Sequence, residues 1–522
     1  LDYSTETDVT ERGSYYQMKG ESQRFDGNIT FSYNKNFGFH VVNVGIGSNM
    51  QQSKGENSAY TGVGFINPDM VFAGAANGFK TGTRPSGSYD ISRLVGFFTN
   101  VNYGYDNRYF LDFSFRTDGS SKFGRNSRFA PFWSVGLAWN VHKESFWHGR
   151  EKNSLKFRAS VGSIGTTNFS SSQALTTYLY HFERVYNGVF GVKLAGYGNT
   201  NLKWQNTLSY NIGVDLTCLN GFLTFNGDFY IKETKNLLLP VTVAPSTGFA
   251  DYIENIGELR NMGMEARLRF NLIRDIQRDL SWSVTLAAFH NKSKITKLSN
   301  QLETINQWAN DDINNQGETV YRQFEEGRSQ TALMVVRSGG IDPATGNEVY
   351  IKKNGELTFT YDHNDKIECG DMMPKMEGNI NSNLTWKGWN LYLLFKYKWG
   401  GKTYNSTLAT KVEGANPYKN ADKRVLYDRW KEPGDKAKFR RIDDTSRPYQ
   451  TTRLVEDDNL FALQSVSLSY ELPRKISQKL YMERVKFLLS TTDLFRLSSI
   501  KQERGTNYPF ARTFSIGLNV TF

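Results

Sequence analysis

"TFSIGLNVTF", residues Thr513–Phe522, alternates apolar residues with small polar ones along its whole length. Successive side chains of a β-strand point to opposite faces, so a strand here has one wholly apolar face and one polar face. The apolar parity comprises Phe514, Ile516, Leu518, Val520 and Phe522. In a soluble sheet such a face covers a core, whereas in a membrane barrel it faces lipid and the polar face lines a lumen.

The same alternation recurs upstream in longer runs. Residues 205–217 and 222–235 alternate and are joined by the short turn 218–221, which predicts a β-hairpin. The polar face of the second run carries Asn226 and Asp228, which do not suit the core of a sandwich. A soluble sheet with one wet face shows the same alternation. However, these segments run to about ten to fourteen residues, close to the length that crosses a bilayer at a tilt.

Two aromatic residues support the membrane interpretation. Phe129 and Trp139 share a face and lie ten residues apart. That spacing is about 33 Å along a strand and about 25 Å vertically at a tilt of ~40°, which fits two aromatic girdles. We therefore predict an all-β fold, a transmembrane antiparallel β-barrel.

The composition favours many strands in one unit. The 522 residues include 14% aromatic residues and 46 glycines. No Pro-rich or Ser-rich linker divides them, and no run approaches the ~18 apolar residues of a transmembrane helix. The net charge of +11 comes without a nucleic-acid motif, so no nucleic-acid partner is expected. The six histidines and two cysteines form no catalytic or metal motif, and we expect neither an enzyme nor a cofactor.

Connection lengths provide an independent test, because outer-membrane barrels alternate short periplasmic turns with long external loops. The predicted strands are 12–19, 22–35, 37–49, 92–104, 109–117, 128–141, 153–164, 205–217, 222–235, 259–271, 280–293, 375–386, 388–400, 459–472, 484–493 and 511–522. All connections on one side are short. The long extracellular loops are predicted near 50–91, 165–204, 294–374 and 401–458, with a further long connection at 236–258.

Five ordered stretches resemble the SusC/RagA-type TonB-dependent outer-membrane transporters of Bacteroidetes. They are "RTDGSSKFGRNSRFAPFWSVGLAWNVHKESFW" (116–147), "NTNLKWQNTLSYNIGVDL" (199–216), "GFADYIENIGELRNMGMEARL" (248–268), "GGIDPATGNEVY" (339–350) and "YDRWKEPGD" (427–435). The resemblance implies a barrel of about 22 strands, a plug inside it, a SusD-like surface lipoprotein above it and energy from TonB.

By this comparison the chain supplies about 16 of about 22 strands, the C-terminal part of the barrel, and no plug. The edges of the strands at 12–19 and 511–522 are then expected to pair with N-terminal strands from the same gene product or a second chain. Unpaired backbone groups are costly in outer-membrane lipid.

The predicted site residues lie in external loops and on the lumen side of the strands. The aromatic candidates for substrate binding are Tyr178, Tyr180, Phe182 and Trp308. The predicted lumen-facing charges are Arg267, Arg269, Lys396 and Lys398, which line the solute path or hold the plug. The acidic stretch with Asp362, Asn364 and Asp365 lacks the turn glycine of a calcium loop, and a solvated acidic loop is favoured over a bound Ca²⁺.

We therefore predict energised import of an oligomeric nutrient across the outer membrane, with a glycan favoured over a peptide as substrate. A passive porin formed by about sixteen strands is the first alternative. A soluble multidomain lectin or hydrolase is the second. The topology also predicts that Cys218 and Cys369 are not bonded, because it places them on opposite sides of the bilayer.

Overall fold

The computed structural model describes most of the chain. The described residues are 10, 13–65, 67, 69, 72–148, 153–166, 174–242, 251–298, 324–416, 418, 422–444, 446, 448–500 and 512–522. Among these residues, no helix is both long enough and apolar enough to span a membrane.

The described elements are nearly all strands. The strands of the first half are β1 (Ser14–Phe37), β2 (His40–Val63), β3 (Gly78–Phe79), β4 (Ser86–Tyr105), β5 (Tyr109–Ser120), β6 (Phe129–Asn140), β7 (Ser154–Thr166), β8 (Thr177–Tyr186), β9 (Val189–Gly196), β10 (Gln205–Cys218), β11 (Leu223–Lys235) and β12 (Leu238–Thr242). Those of the second half are β13 (Asp251–Asn255), β14 (Glu258–Asp275), β15 (Leu280–Lys297), β16 (Ala332–Ile341), β17 (Glu348–Ile351), β18 (Leu357–Thr358), β19 (Lys366–Asp371), β20 (Met376–Trp386), β21 (Trp389–Tyr404), β22 (Val455–Glu471), β23 (Arg484–Ser498) and β24 (Phe514–Thr521).

Helical segments are short. The α-helix α1 is Arg474–Lys479, and a π-helical turn covers Leu408–Glu413. The 3₁₀ turns are Ala73–Ala75, Arg125–Ser127, Val141–Lys143, Leu219–Gly221, His363–Asp365, Lys423–Leu426 and Thr452–Leu454.

One large antiparallel sheet organises the chain. Its order is β1-β2-β4-β5-β6-β7-β10-β11-β14-β15-β20-β21-β22-β23-β24, and the short β3 pairs with β2 as the sixteenth member. Each neighbour follows the previous strand without a crossover. The connections hold the two-stranded sheets β8-β9 and β12-β13 and the four-stranded sheet β18-β17-β16-β19. Within the described residues, β1 and β24 are the two ends of this path.

The two faces of the sheet differ as the alternation predicts. Ile212 is 64% exposed and Ile516 is 89% exposed, which no soluble core explains. In the β10–β11 register Ile212 pairs with Phe229, and the next row pairs Gly213 with Asp228. Apolar pairs and polar pairs therefore alternate along the hairpin, and we call the two sides of the sheet the outer (apolar) face and the inner (polar) face.

Every connection longer than 13 residues lies at one end of the sheet, although that end also carries the eight-residue connection 121–128. The end without long connections carries 38–39, 106–108, 141–153, 219–222, 276–279, 387–388 and 472–483. The other end carries 64–85, 121–128, 167–204, 236–257, 298–375, 405–454 and 499–513. We call these ends the turn end and the loop end. Cys218 closes β10 at the turn end, Cys369 lies in β19, and both thiols are free, as predicted.

The predicted division between the first two strands is wrong. The predicted strands 12–19 and 22–35 form the single strand β1, because Gly20 and Glu21 pair in register with Asn57 and Glu56 of β2. Correspondingly, β2 continues to Val63, and the connection predicted near 50–91 shrinks to 64–85. The alternation fades in this part of β1 and β2 because both faces are polar, whereas the backbone hydrogen bonds continue.

Candidate functional site

A compact charged cluster lies on the inner face across β7, β10 and β11. Arg158 Nε lies 2.8 Å from Asp215 Oδ2, and Arg158 Nη2 lies 3.0 Å from Asp228 Oδ2. Asn226 Nδ2 also donates to Asp215 Oδ1 at 2.8 Å. A Cβ at Gly213 would lie 2.7 Å from Arg158 Nη2, so the missing side chain makes room for the guanidinium. The arginine is thus occupied by wall carboxylates, and the cluster joins three strands.

A different arrangement lies further along the inner face. Arg267 of β14 pairs with Ala287 of β15, Ala287 with Asn379 of β20, and Asn379 with Lys396 of β21. Three strand spacings of about 4.8 Å put the two cationic residues about 14 Å apart on one register row.

The row continues by two more strands. Lys396 pairs with Ala462 of β22, and Ala462 pairs with Arg496 of β23. Three cationic residues therefore follow one row of the inner face, which we call the basic row (Arg267, Lys396 and Arg496). Within the described residues the register places no carboxylate on this row, although Glu265 and Glu377 each lie two residues away on the same face.

The other two predicted inner charges differ from each other. Arg269 is exposed two residues after Arg267 on the same face. Lys398 instead forms an ion pair with Asp458 of β22. Arg269 therefore lies exposed beside the basic row, whereas Lys398 is paired with a carboxylate of the neighbouring strand.

The aromatic candidates lie in the loop-end connection 167–204. Tyr178, Tyr180 and Phe182 belong to β8, which forms a hairpin with β9, and Tyr178 is 62% exposed. Trp308 lies outside the described residues. Their predicted role in substrate binding stays a prediction.

The calcium candidates make local backbone contacts. Asp362 Oδ1 accepts a hydrogen bond from the Asn364 amide at 2.8 Å, and Asp365 Oδ1 accepts one from the Lys353 amide at 2.9 Å. Within the part of the chain that the structure describes, no group of three or more His, Cys, Asp or Glu side chains is arranged to hold a metal ion. These residues shape a turn.

Two loop-end connections join into one packed unit, which we call the loop body (residues 332–371 and 405–454). Val336 of β16 forms a parallel bridge with Thr451, and the Ser338 amide donates to Thr452 Oγ1 at 3.0 Å. The first connection contributes three buried residues, Leu333, Val335 and Val336. The second contributes a buried apolar cluster of Leu408, Ala409, Val412, Phe439 and Leu454. The loop body has its own apolar core.

A buried ion network ties the loop body together. Arg453 Nη2 lies 2.9 Å from Glu348 Oε2 of β17, and Arg453 Nη1 lies 2.6 Å from Glu413 Oε2. Arg440 Nε also donates to Glu413 Oε1 at 2.7 Å. Side-chain exposure is 7% for both arginines, 1% for Glu348 and 0% for Glu413. Burial opposes the charge of Arg453, but its hydrogen bonds to Glu348 and Glu413 prevail and raise its pKa.

The "DPATGN" and "YDRWKEPGD" stretches also meet in the loop body. Trp430 Nε1 donates to the Pro343 carbonyl at 2.9 Å, and the Gly434 amide donates to the same oxygen at 2.8 Å. Gly346 has a φ of 72°, and a Cβ there would lie 2.6 Å from the Trp430 ring. A glycine is therefore required for both the backbone conformation and the close approach of the indole.

Replacing Gly346 by alanine should open this contact. The left-handed backbone costs about 1–3 kcal/mol for a side chain, and the indole must also move. We expect faster hydrogen exchange of the Gly434 amide. Gly355→Ala is the matched control, because Gly355 has a φ of 91° but no atom within 4 Å of its added Cβ. Equal exchange in both variants would contradict a role for the Trp430 contact.

Three tyrosines form a stack beside the ion network. The rings of Tyr361 and Tyr449 are stacked with centroids 4.2 Å apart, and Tyr350 meets both edge-on. Burial raises the pKa of Tyr350 and of Tyr361 above the usual tyrosine value. Tyr449 is 45% exposed and presents an aromatic surface to solvent.

Sequence reasoning missed Arg496 and Tyr449. It ended the last-but-one strand at residue 493, whereas β23 continues to Ser498 across an irregularity between the Leu463–Phe495 and Ser465–Thr492 pairs. Phe487, Leu489, Phe495 and Leu497 are all exposed and share one parity, so the alternation of β23 continues past residue 493 and could have placed Arg496 on the inner face. No local pattern marks Tyr449, because its ring partners lie 88 and 99 residues earlier in the chain.

The chain matches the family model described as TonB dependent receptor-like, beta-barrel, over residues 1–439. TonB-dependent receptor P3 of Formosa agariphila is 28% identical over 94% of this chain and 51% of its own length. The TonB-dependent receptor SusC of Bacteroides thetaiotaomicron is 34% identical over 40% of this chain and 21% of its own length.

Solved structures share the fold. The RagAB peptide transporter matches with a TM-score of 0.82 at 20% identity, over 98% of this chain and 56% of that chain. The chain spans about half the length of the relatives that it matches along most of its sequence.

Proposed function

Because this chain belongs to the TonB-dependent receptor-like β-barrel family, a family of outer-membrane barrels, we propose that it forms part of an energised importer. The imported solute is an oligomeric nutrient, and the energy comes from TonB across the periplasm. The observation that carries the proposal is family membership over residues 1–439, together with a sheet whose apolar face is exposed and whose other face is polar.

The inner face is suited to an aqueous path. The basic row offers cationic side chains at about 14 Å and about 10 Å spacing, which can hold solute hydroxyls or carboxylates or anchor a plug. The carboxylate-bound Arg158 cluster, in contrast, stabilises the wall. We assign neither region a catalytic role.

Partners follow from the same proposal. We propose that a SusD-like surface lipoprotein sits over the loop end, and that further strands pair with β1 and β24. Within the described residues each of these two strands pairs along one edge of the sheet path, and each unsatisfied backbone group costs several kcal/mol in lipid. A plug inside the completed barrel is part of this proposal.

The substrate proposed is a glycan, with a peptide as the alternative. Exposed aromatic rings at the loop end support a glycan, because flat rings stack on sugar faces; Tyr178 and Tyr449 are such rings. The structural relative described as a peptide transporter keeps the peptide alternative open.

Tyr449→Ala should weaken capture of an oligosaccharide by roughly tenfold, because a lost aromatic contact is worth about 0.5–1.5 kcal/mol beyond its buried area. The measurement is uptake of labelled oligosaccharides and oligopeptides by cells carrying the whole receptor. Tyr481→Ala is the control, since Tyr481 is 93% exposed but lies at the turn end. An effect on oligopeptide uptake alone would favour the peptide, and equal effects of both variants would refute external stacking.

The alternative function, a passive porin, differs from the proposed importer in needing no energy from TonB. In the described residues the end strands β1 and β24 each have one long neighbour in the sheet path, which argues against closure by these strands alone. Uptake by an energised importer should stop when TonB is deleted. Uptake that persists unchanged in cells without TonB would overturn the import proposal and support the porin.

A further inference from the structure

A groove crosses five neighbouring strand segments on the outer face at the loop end. Its volume is about 520 Å³, and its apolar lining includes Phe25 of β1, Met50 of β2, Val95 of β4 and Phe129 of β6. Phe25 is 65% exposed, Met50 53% and Phe129 60%. These side chains continue the apolar surface that faces lipid.

Glycine 119 shapes the groove. A Cβ at Gly119 of β5 would lie 2.5 Å from the Phe129 ring, so the ring lies across the position that a side chain would fill. The ring of Phe129 therefore lies close against the strand, and the surface beside it stays concave.

Two arginines line the same groove. Arg93 Nε donates to Gln52 Oε1 at 2.9 Å, and this partner is neutral. Arg128 precedes Phe129 and is exposed. Among the described residues, the lining of the groove contains no carboxylate. The groove thus combines an apolar floor with two positive charges.

The depth of the groove matches the edge of a bilayer. Phe129 begins β6 at the loop end, and Trp139, ten residues later on the same face, is near the turn end. That separation is about 25 Å vertically at a tilt of ~40°, the height of the apolar band of a barrel. The arginines consequently lie at head-group level, and the apolar lining extends toward the acyl chains.

We propose that this groove binds a phosphorylated membrane lipid. Its phosphate lies between the Arg93 and Arg128 guanidinium groups, and an acyl chain lies along Phe25, Met50, Val95 and Phe129. Guanidinium groups are well suited to phosphate because their donors match its oxygens in pairs. Charge complementarity and continuity with the lipid-facing surface specify an anionic lipid as the occupant. This site is separate from the proposed import path, since it lies on the opposite face of the sheet.

The test measures lipid occupancy by native mass spectrometry. The whole receptor is extracted in mild detergent, delipidated and titrated with phosphatidic acid or with diacylglycerol, its phosphate-free counterpart. We expect phosphatidic acid to bind and diacylglycerol to bind at least tenfold more weakly. Arg93→Gln and Arg128→Gln should each weaken phosphatidic acid binding about tenfold, since a hydrogen bond to a charged group is worth about 1.5–3 kcal/mol.

Arg125→Gln is the matched control. Arg125 is an exposed arginine of the same connection but does not line the groove, so binding should be unchanged. The double variant Arg93→Lys and Arg128→Lys keeps both charges but loses the paired donors, so it should bind phosphatidic acid more weakly than the unchanged receptor and more tightly than the double glutamine variant. Equal binding of diacylglycerol, an equal loss in Arg125→Gln, or displacement by inorganic phosphate alone would overturn the lipid site. Heat-modifiable gel migration confirms that each variant is folded.

Discussion

Replacing Arg453 by methionine should destabilise the loop body by about 3–5 kcal/mol, because the change leaves the carboxylates of Glu348 and Glu413 buried without their shared cation. Both carboxylates are at most 1% exposed, so water cannot take over the role of the guanidinium. Because methionine keeps much of the side-chain volume of arginine, the loss of stability measures the removal of the positive charge. The measurement is native-state hydrogen exchange of the β16 and β17 amides.

An exposed ion pair in the same loop body provides the control. Arg441 pairs with Asp443, but the two side chains are 43% and 61% exposed, and such pairs contribute about 0–1 kcal/mol. Arg441→Met should leave the exchange of β16 and β17 nearly unchanged. Adding Glu348→Gln and Glu413→Gln to Arg453→Met should recover part of the loss. Equal exchange in the Arg453 and Arg441 single variants would contradict the buried network.

Replacing Ile212 by arginine should cost about 2–4 kcal/mol of barrel stability, because the new charge lies on the lipid face near mid-membrane. Ile212 is 64% exposed on the outer face, in the middle of β10. The measurement is the urea midpoint of unfolding in lipid vesicles, followed by heat-modifiable migration on a gel.

The neighbouring residue of opposite parity is the matched control. Asn211 pairs with Tyr230 of β11 and Ser160 of β7 on the inner face, where an arginine side chain can reach water. Asn211→Arg should therefore cost little. Similar midpoints for the Ile212 and Asn211 variants would count against a lipid-facing wall.

Much of the wall was predictable because its rules are local. Alternation with a period of two marks each strand and both of its faces, and short turns mark the hairpins. The predicted strands 205–217 and 222–235 correspond to β10 and β11 within one residue at each end. The resemblance to SusC/RagA-type transporters, carried by the quoted stretches, is confirmed by the family match and by the relatives.

The predicted strand bounds were wrong where backbone hydrogen bonding does not follow the pattern of hydrophobic residues. In β1 the segment around Gly20 and Glu21 resembles a turn, yet it pairs with β2 in unbroken register. In β22 the irregularity between Leu463 and Ser465 changes the parity of the side chains, because Leu468 pairs with Leu489 and Phe461 with Leu497, which lie on one face of β23. Neither the backbone pairing of a polar segment nor an inserted residue leaves a periodic pattern in the sequence.

The sequence by itself determined the class of structure and the division into lipid-facing and polar sides. These properties depend on solvent contact residue by residue, and solvent contact is encoded in the side-chain type. The tertiary structure decided the rest. Register placed Arg267, Lys396 and Arg496 on one row, and loop packing brought Glu348 to Arg453 across 105 positions of the chain. Such contacts join residues far apart in sequence, and their geometry follows from strand order and packing, which no local pattern records.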